Sequence, residues 1–168
     1  MNRSAFLLPV VVVAALVVIS AVFTVDERER ALVLQFGEVV TVKEDPGLAF
    51  KIPLIQEVVK YDKRILALET QSLEVTPADD RRLVVDAFAR WRIQDVVKFR
   101  RAVGASGIDG APSRLQRIIN AEMRAVLGSV DSGTVLSADR VALMNQIRDK
   151  ARVQALSLGV EIVDVRIK

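Results

Sequence analysis

The rhythm of hydrophobic and polar positions changes three times along this chain. Residues Ala5 to Val25, AFLLPVVVVAALVVISAVFTV, carry no charge, and as a helix they would span roughly 31 Å, the thickness of a bilayer's hydrocarbon core. Pro9 falls near the first turn, where its missing N–H costs little. The run predicts a membrane-anchoring helix within residues 1–25. A cleaved signal peptide is the competing reading, with Val18-Ile19-Ser20 or a cut after Ala21 as poor processing sites. The apolar run continues past both, which favours a retained anchor. Arg3 precedes the run, and Arg28 and Arg30 follow it among Asp26, Glu27 and Glu29, so flanking charge sets no orientation.

Beyond the run the pattern turns to strands. Ala31 to Phe36 sets Leu32, Leu34 and Phe36 against Ala31, Val33 and Gln35, and Gly37 with Glu38 to Val42 completes a predicted hairpin. Asp45-Pro46-Gly47 is turn chemistry leading into LAFKIPLI at 48–55. Pro53 keeps that stretch from being a central strand. Its side chains Leu48, Phe50, Ile52, Leu54 and Ile55 are too apolar for an ordinary exposed loop, so they either meet the membrane interface or cover the end of the core. The clearest strand is 82–93: Leu83, Val85, Ala87, Ala89, Trp91 and Ile93 share one face, and Arg82, Asp86, Arg90 and Arg92 the other. Its predicted partner is 63–75, joined to it by the polar connection 76–81 in one long hairpin.

Helical spacing then takes over. From Pro112, placed for N1, Leu115, Ile118, Ile119, Glu122 and Val126 form a stripe that Glu122 interrupts, with Gly128 as the stop. Ser137 is the predicted N-cap of a second helix carrying Val141, Met144, Ile147, Ala151, Ala155 and Leu158, closed by Gly159, and 160–168 is a last strand. Hairpins first and helices later describe an α+β domain over residues 26–168 behind the anchor.

Composition removes most chemistry. The 168 residues contain no cysteine and no histidine, so disulfides, thiolate nucleophiles and any His-dependent triad are impossible. Mean hydropathy is +0.31, raised by the N-terminal run. Although the net charge is +3, it is spread along the chain without the basic excess of a nucleic-acid binder. A Ser-Lys dyad is formally open with nine serines and seven lysines. Ser106, in Gly104-Ala105-Ser106-Gly107, has the most nucleophile-like neighbourhood, but it lacks a nucleophile-elbow pattern and reads as a turn residue. The same glycines read as a flexible loop rather than an RNA-clamping G-x-x-G. Trp91 belongs to the apolar face of its strand, hence to the core rather than to base stacking, and Arg90 and Arg92 lie on the solvated or partner-facing side. Asp79, Asp80, Arg81 and Arg82 read as a solvated hairpin tip. No carboxylate cluster has calcium-loop spacing, and no metal, cofactor or catalytic residue is expected.

PGLAFKIPLI at 46–55, WRI at 91–93 and LGVEIVDVRIK at 158–168, following ERALVLQFGEV at 29–39 and the apolar run, resemble the SPFH superfamily of stomatin, prohibitin, flotillin and the HflK/HflC pair. Within it the likeness is to the HflC family. The matching motif positions are Pro46, Gly47, Phe50, Pro53, Trp91, Gly159, Asp164 and Arg166. The resemblance implies a non-catalytic scaffold in the bacterial inner membrane, single-pass with its SPFH domain in the periplasm. It also implies pairing with an HflK-like SPFH protein and regulation of an FtsH-like AAA protease. A generic stomatin- or prohibitin-like membrane organiser is the alternative, with the Ser-Lys protease a distant third. Superfamily members continue from the strand matching VDVRIK into a long charged coiled-coil helix, and this sequence ends where it would begin. The chain alone is therefore expected to associate weakly, with hetero-oligomers belonging to the longer form. Expected lateral surfaces are the charged face of 82–93, Arg114, Arg117 and Arg124, and the edge of 160–168.

Overall fold

The computed structural model describes residues 15–137 and 139–167. Most of the predicted anchor, with Arg3 and Pro9, lies outside the described residues, as does Lys168. The chain divides into two compact units, Met1–Asp62 and Lys63–Lys168.

In the first unit residues 15–21 are helical and β1 (Val22–Val25) follows at once. The sequence places the end of the anchoring helix at Val25. The helix instead stops at residue 21, because the β-rich VFTV segment finds a partner, β4 (Gly47–Phe50), in an antiparallel ladder from Val22–Phe50 to Val25–Gly47. Among the described residues, no helix is long and apolar enough to cross a membrane.

β2 (Glu29–Gln35) lies between β3 (Glu38–Lys43) and β5 (Gln56–Asp62), antiparallel to both. As the middle strand it buries Ala31, Leu32, Val33 and Leu34 in succession, so the expected one-sided alternation is wrong there; a strand covered on both faces reads as a continuous apolar run. The strand also ends at Gln35, and Phe36 belongs to the turn. β5 was not anticipated, although Val58, Val59 and Tyr61 are strand-forming residues.

The second unit holds the expected hairpin, broken into two ladders. β6 (Leu66–Glu69) pairs with β9 (Ala87–Ile93), and β7 (Leu73–Val75) with β8 (Leu83–Val85). At the break Thr70 Oγ1 accepts from Ala87 N–H at 2.9 Å and donates to Ala87 C=O at 3.2 Å. A buried threonine thus replaces a ladder step. β10 (Val160–Ile167) pairs antiparallel with the other side of β9, giving the order β10-β9-β6. Ala87, Ala89, Trp91 and Ile93 are buried with Val160, Ile162, Val165 and Ile167 opposite them.

Four helices complete the unit: α1 (Val96–Val103), α2 (Ala111–Leu127), α3 (Ser132–Leu136) and α4 (Arg140–Ala155). α1 was missed in the sequence, yet Asp95 caps it by accepting from Val97 and Lys98 N–H at 3.0 Å each. Val96, Phe99 and Val103 bury its inner stripe. Phe99 stacks on Trp91 with centroids 6.4 Å apart. The stripe of α2 tolerates Glu122 because Gln154 of α4 donates to its Oε1. Gly128 ends α2 with right-handed φ of −69°, not as a left-handed cap. On α4 the buried line is Leu143, Ile147, Ala151 and Ala155, with Val141 exposed, and Ser137 lies two residues before the N-cap position. The structure assigns the N-cap position to Asp139.

Two local contacts hold the unit's ends. Gly159, at φ +70°, sits so close to the start of α1 that a Cβ would lie 2.4 Å from Asp95 O and 2.7 Å from Phe99 N. Its C=O accepts from Gln94 and Asp95 N–H at 2.9 and 3.0 Å. Gly159→Ala is expected to destabilise the protein by about 3 kcal/mol, read by chemical denaturation in mild detergent.

At the 76–82 connection Asp79 is not simply solvated. Ser132 donates to it from its hydroxyl and, at 3.2 Å, from its N–H. The hydroxyl bond is the main reason its carboxyl is held below the ordinary aspartate value, with Arg81 adding a smaller pull. A lowered folded-state value means a contribution that is full above the unfolded value, about 4, and lost as pH falls through the folded one. Wild type should therefore lose more stability than Asp79→Asn between about pH 5 and pH 3 in denaturant melts.

Candidate membrane-contact surface

The sequence-predicted interface residues come together on the first unit, and on its outside. Leu48, Phe50, Ile52, Leu54 and Ile55 are all exposed, Phe50 at 74% and Leu54 completely. Of this stretch only Ala49, between them, is buried. The pleat explains this, since β4 turns alternate residues to opposite sides. Gly47, at φ +137°, opens β4 after Pro46, and Pro53 ends regular pairing. The bend that follows brings Leu54 to φ +70°, and Ile52 N–H donates to Gln56 Oε1 at 2.8 Å.

A backbone bond from Lys51 N–H to Ala21 C=O, 2.8 Å long, ties this bend to the end of the N-terminal helix. Leu16, Val17, Ser20, Lys51, Pro53 and Leu54 consequently line one depression. The helix residues Leu16, Val18 and Ile19 are exposed as well. The result is a continuous apolar surface of a kind that soluble monomers rarely show. Lys51 is the one charged residue of positions 46–56, with an apolar stem able to lie along such a surface.

The sequence reasoning missed one member. Phe36 is 87% exposed at φ +52°, followed by Gly37 at φ +87°. They form the two-residue turn between Gln35 and Glu38. An apolar residue immediately before a Gly that links two strands was the available signal.

The remaining motif residues lie in the second unit and serve structure. Trp91 is buried at 2%, and Gly159 makes the contact described above. Asp164 and Arg166 pair with each other at 2.9 Å on β10, beside a bulge between Ile162 and Asp164.

The expected lateral surfaces are in part already occupied. Arg92 is not free for a partner: its guanidinium holds Glu161 Oε2 at 2.6 and 2.7 Å, and Arg152 of α4 binds Oε1 of the same buried carboxylate. The carboxylate is buried while its two half-exposed arginines reach over it from the surface, so the contact joins β9, β10 and α4. Arg90 lies 5.9 Å over the Phe88 ring. At the open edge of β10, Arg140 donates to Ile167 C=O. Arg114, Arg117 and Arg124 are exposed on α2 as expected. Ser106 is exposed on 3-10 turns spanning Gly104–Gly110, kinked at Gly107. Among the described residues no cluster of acidic side chains could hold a metal ion.

Small antiparallel sheets in both units, with helices packed on a sheet of the second, make this an α+β protein. The chain belongs to the SPFH domain / Band 7 family, whose pattern it matches over residues 23–168. Within the family it is similar to Protein HflC of Haemophilus influenzae, 32% identical over 97% of this chain and 58% of that protein. It is also similar to Modulator of FtsH protease HflC of Escherichia coli K12, 27% identical over 95% of this chain and 61% of that protein. Protein HflC of Vibrio parahaemolyticus is 24% identical over 96% and 61%. The chain thus spans about three-fifths of the length of the curated relatives it matches.

Exposure makes a clear energetic prediction. Replacing Phe50 and Leu54 together by Ser should change unfolding free energy in mild detergent by no more than about 0.5 kcal/mol per site. Trp91→Ala should cost about 3–5 kcal/mol in the same measurement.

Proposed function

We propose that this chain is a membrane-anchored, non-catalytic scaffold that modulates an FtsH-like membrane protease in company with an HflK-like SPFH protein. The observation that carries the reading is the exposed apolar surface of residues 48–55, tied by the Lys51–Ala21 bond to the end of the N-terminal apolar run. A protein presenting that surface to water would tend to aggregate; against a bilayer the same residues are stabilising. The run from Ala5 serves as the single anchor, ending where β1 begins, and the 48–55 surface rests on the interface beside it. The protease partner is inferred from the relatives, two of which carry the names HflC and Modulator of FtsH protease HflC.

The second half of the reading is assembly. The solvated arginines of α2, and Arg90 on the outer face of β9, are the surfaces offered to a neighbouring SPFH domain in a hetero-oligomer. A further helical interface acting together with these surfaces would add avidity. The domain is placed in the periplasm of a bacterial inner membrane, with the N-terminus in the cytoplasm.

Crosslinking in native bacterial membranes followed by mass spectrometry tests the partners. Recovery of an SPFH relative and of an FtsH-like protease is expected. Exclusive recovery of peptides cleaved by the purified chain would sink the scaffold reading in favour of a Ser-Lys protease. For topology, alkaline phosphatase fused after Lys168 should be active and the matching green fluorescent protein fusion dark. The reverse result would place the domain in the cytoplasm.

A further inference from the structure

Only three non-glycine residues among those described have positive φ: Phe36, Leu54 and Asp80. Aspartate visits the left-handed region readily, since its short polar side chain can bond to nearby backbone. Phenylalanine and leucine have no such compensation and are genuine outliers there. Both are also among the most exposed large apolar residues of the first unit. Each thus combines an unfavourable backbone with an unfavourable side-chain environment in water.

The two are neighbours. Phe36 and Gly37 line one shallow depression with Lys51, Leu54 and Ile55, with Gln56 and Glu57 at its polar side, so the β2–β3 turn and the 51–55 bend form one margin of the first unit. The Leu54 side of that margin also borders Leu16 and Val17 of the N-terminal helix. The occupant that suits two projecting apolar tips beside an apolar helix is the acyl-chain boundary of a bilayer. Lys51, between the tips, can lie along the surface and extend its ammonium to the headgroup level.

We infer that Phe36 is a second lipid-inserting tip, paired with Leu54, and that the strained Phe36-Gly37 turn is retained because it projects the ring into the bilayer. This rests on the membrane-contact reading of residues 48–55 and extends it to a separate hairpin. The turn itself supplies the discriminating feature. With both central residues at positive φ it has the type I′ pattern, for which Asn-Gly is a favoured dipeptide. Phe36→Asn should therefore fit the backbone better while removing the lipid contact, so stability and membrane contact should move in opposite directions.

The absence of cysteine makes the test direct. In the full chain reconstituted into phosphatidylcholine–phosphatidylglycerol liposomes, single variants Phe36→Cys, Leu54→Cys and Val153→Cys would carry an environment-sensitive fluorophore. Quenchers attached to the lipid acyl chains would report contact. Labels at positions 36 and 54 should be quenched strongly, and the label at exposed Val153 should not. In parallel, Phe36→Asn should raise the melting temperature in detergent by about 2–4 °C. Quenching at 54 with a water-exposed label at 36 would overturn this inference and leave the 48–55 surface standing. No quenching at either would overturn the membrane-contact reading itself. A fall in melting temperature for Phe36→Asn would contradict the strain argument by showing that the ring stabilises the folded protein through its own contacts.

Discussion

The short ladder between Val22–Val25 and Gly47–Phe50, extended by the Lys51–Ala21 bond, is the contact on which the apolar surface depends. It makes a strand of the last residues of a long apolar run and fixes the 51–55 bend beside the helix at residues 15–21. Without it the bend would be a solvent loop with five unexplained apolar side chains. With it, residues separated by some thirty positions in sequence become one surface. Hydrogen bonding of this kind is modest in net energy, but it is directional, and here direction is what sets which side chains face outward.

The second unit follows a different logic. β9 is buried on one side by alternating Ala87, Ala89, Trp91 and Ile93, while its charged side is largely neutralised within the unit. Glu161 is held by Arg92 and Arg152, and Asp164 by Arg166. Ion pairs with at least one solvent-exposed partner contribute more to geometry than to net stability.

The legible features were those that depend on one segment alone. The period of two in 82–93, the stripe of α2 with Pro112 at its start, and the turn chemistry of 45–47 all follow from local sterics and burial. Features created by pairing across the chain were hidden. Ala31 to Leu34 looks one-sided because nothing local says that both faces of β2 become covered. Val22 to Val25 looked like the end of a helix because only Gly47–Phe50 makes it a strand. Arg92 looked free because its partners Glu161 and Arg152 lie far along the chain. α1 was legible in principle, from Asp95 and the spacing of Val96, Phe99 and Val103. The apolar character of Leu48, Phe50, Ile52, Leu54 and Ile55 is legible in the sequence, and their exposure is added by the fold. Phe36 was misassigned to a strand face, since its left-handed backbone is visible only in the folded turn.

The central claim is that the apolar margin of the first unit meets lipid. Photo-activatable phospholipids incorporated into native membranes, followed by peptide mapping of the adducts, test it most directly. The account predicts adducts concentrated on the segments containing Phe36 and residues 48–55, with the outer face of α4 unmodified. Adducts confined to the N-terminal run, with residues 48–55 crosslinking to protein instead, would contradict it.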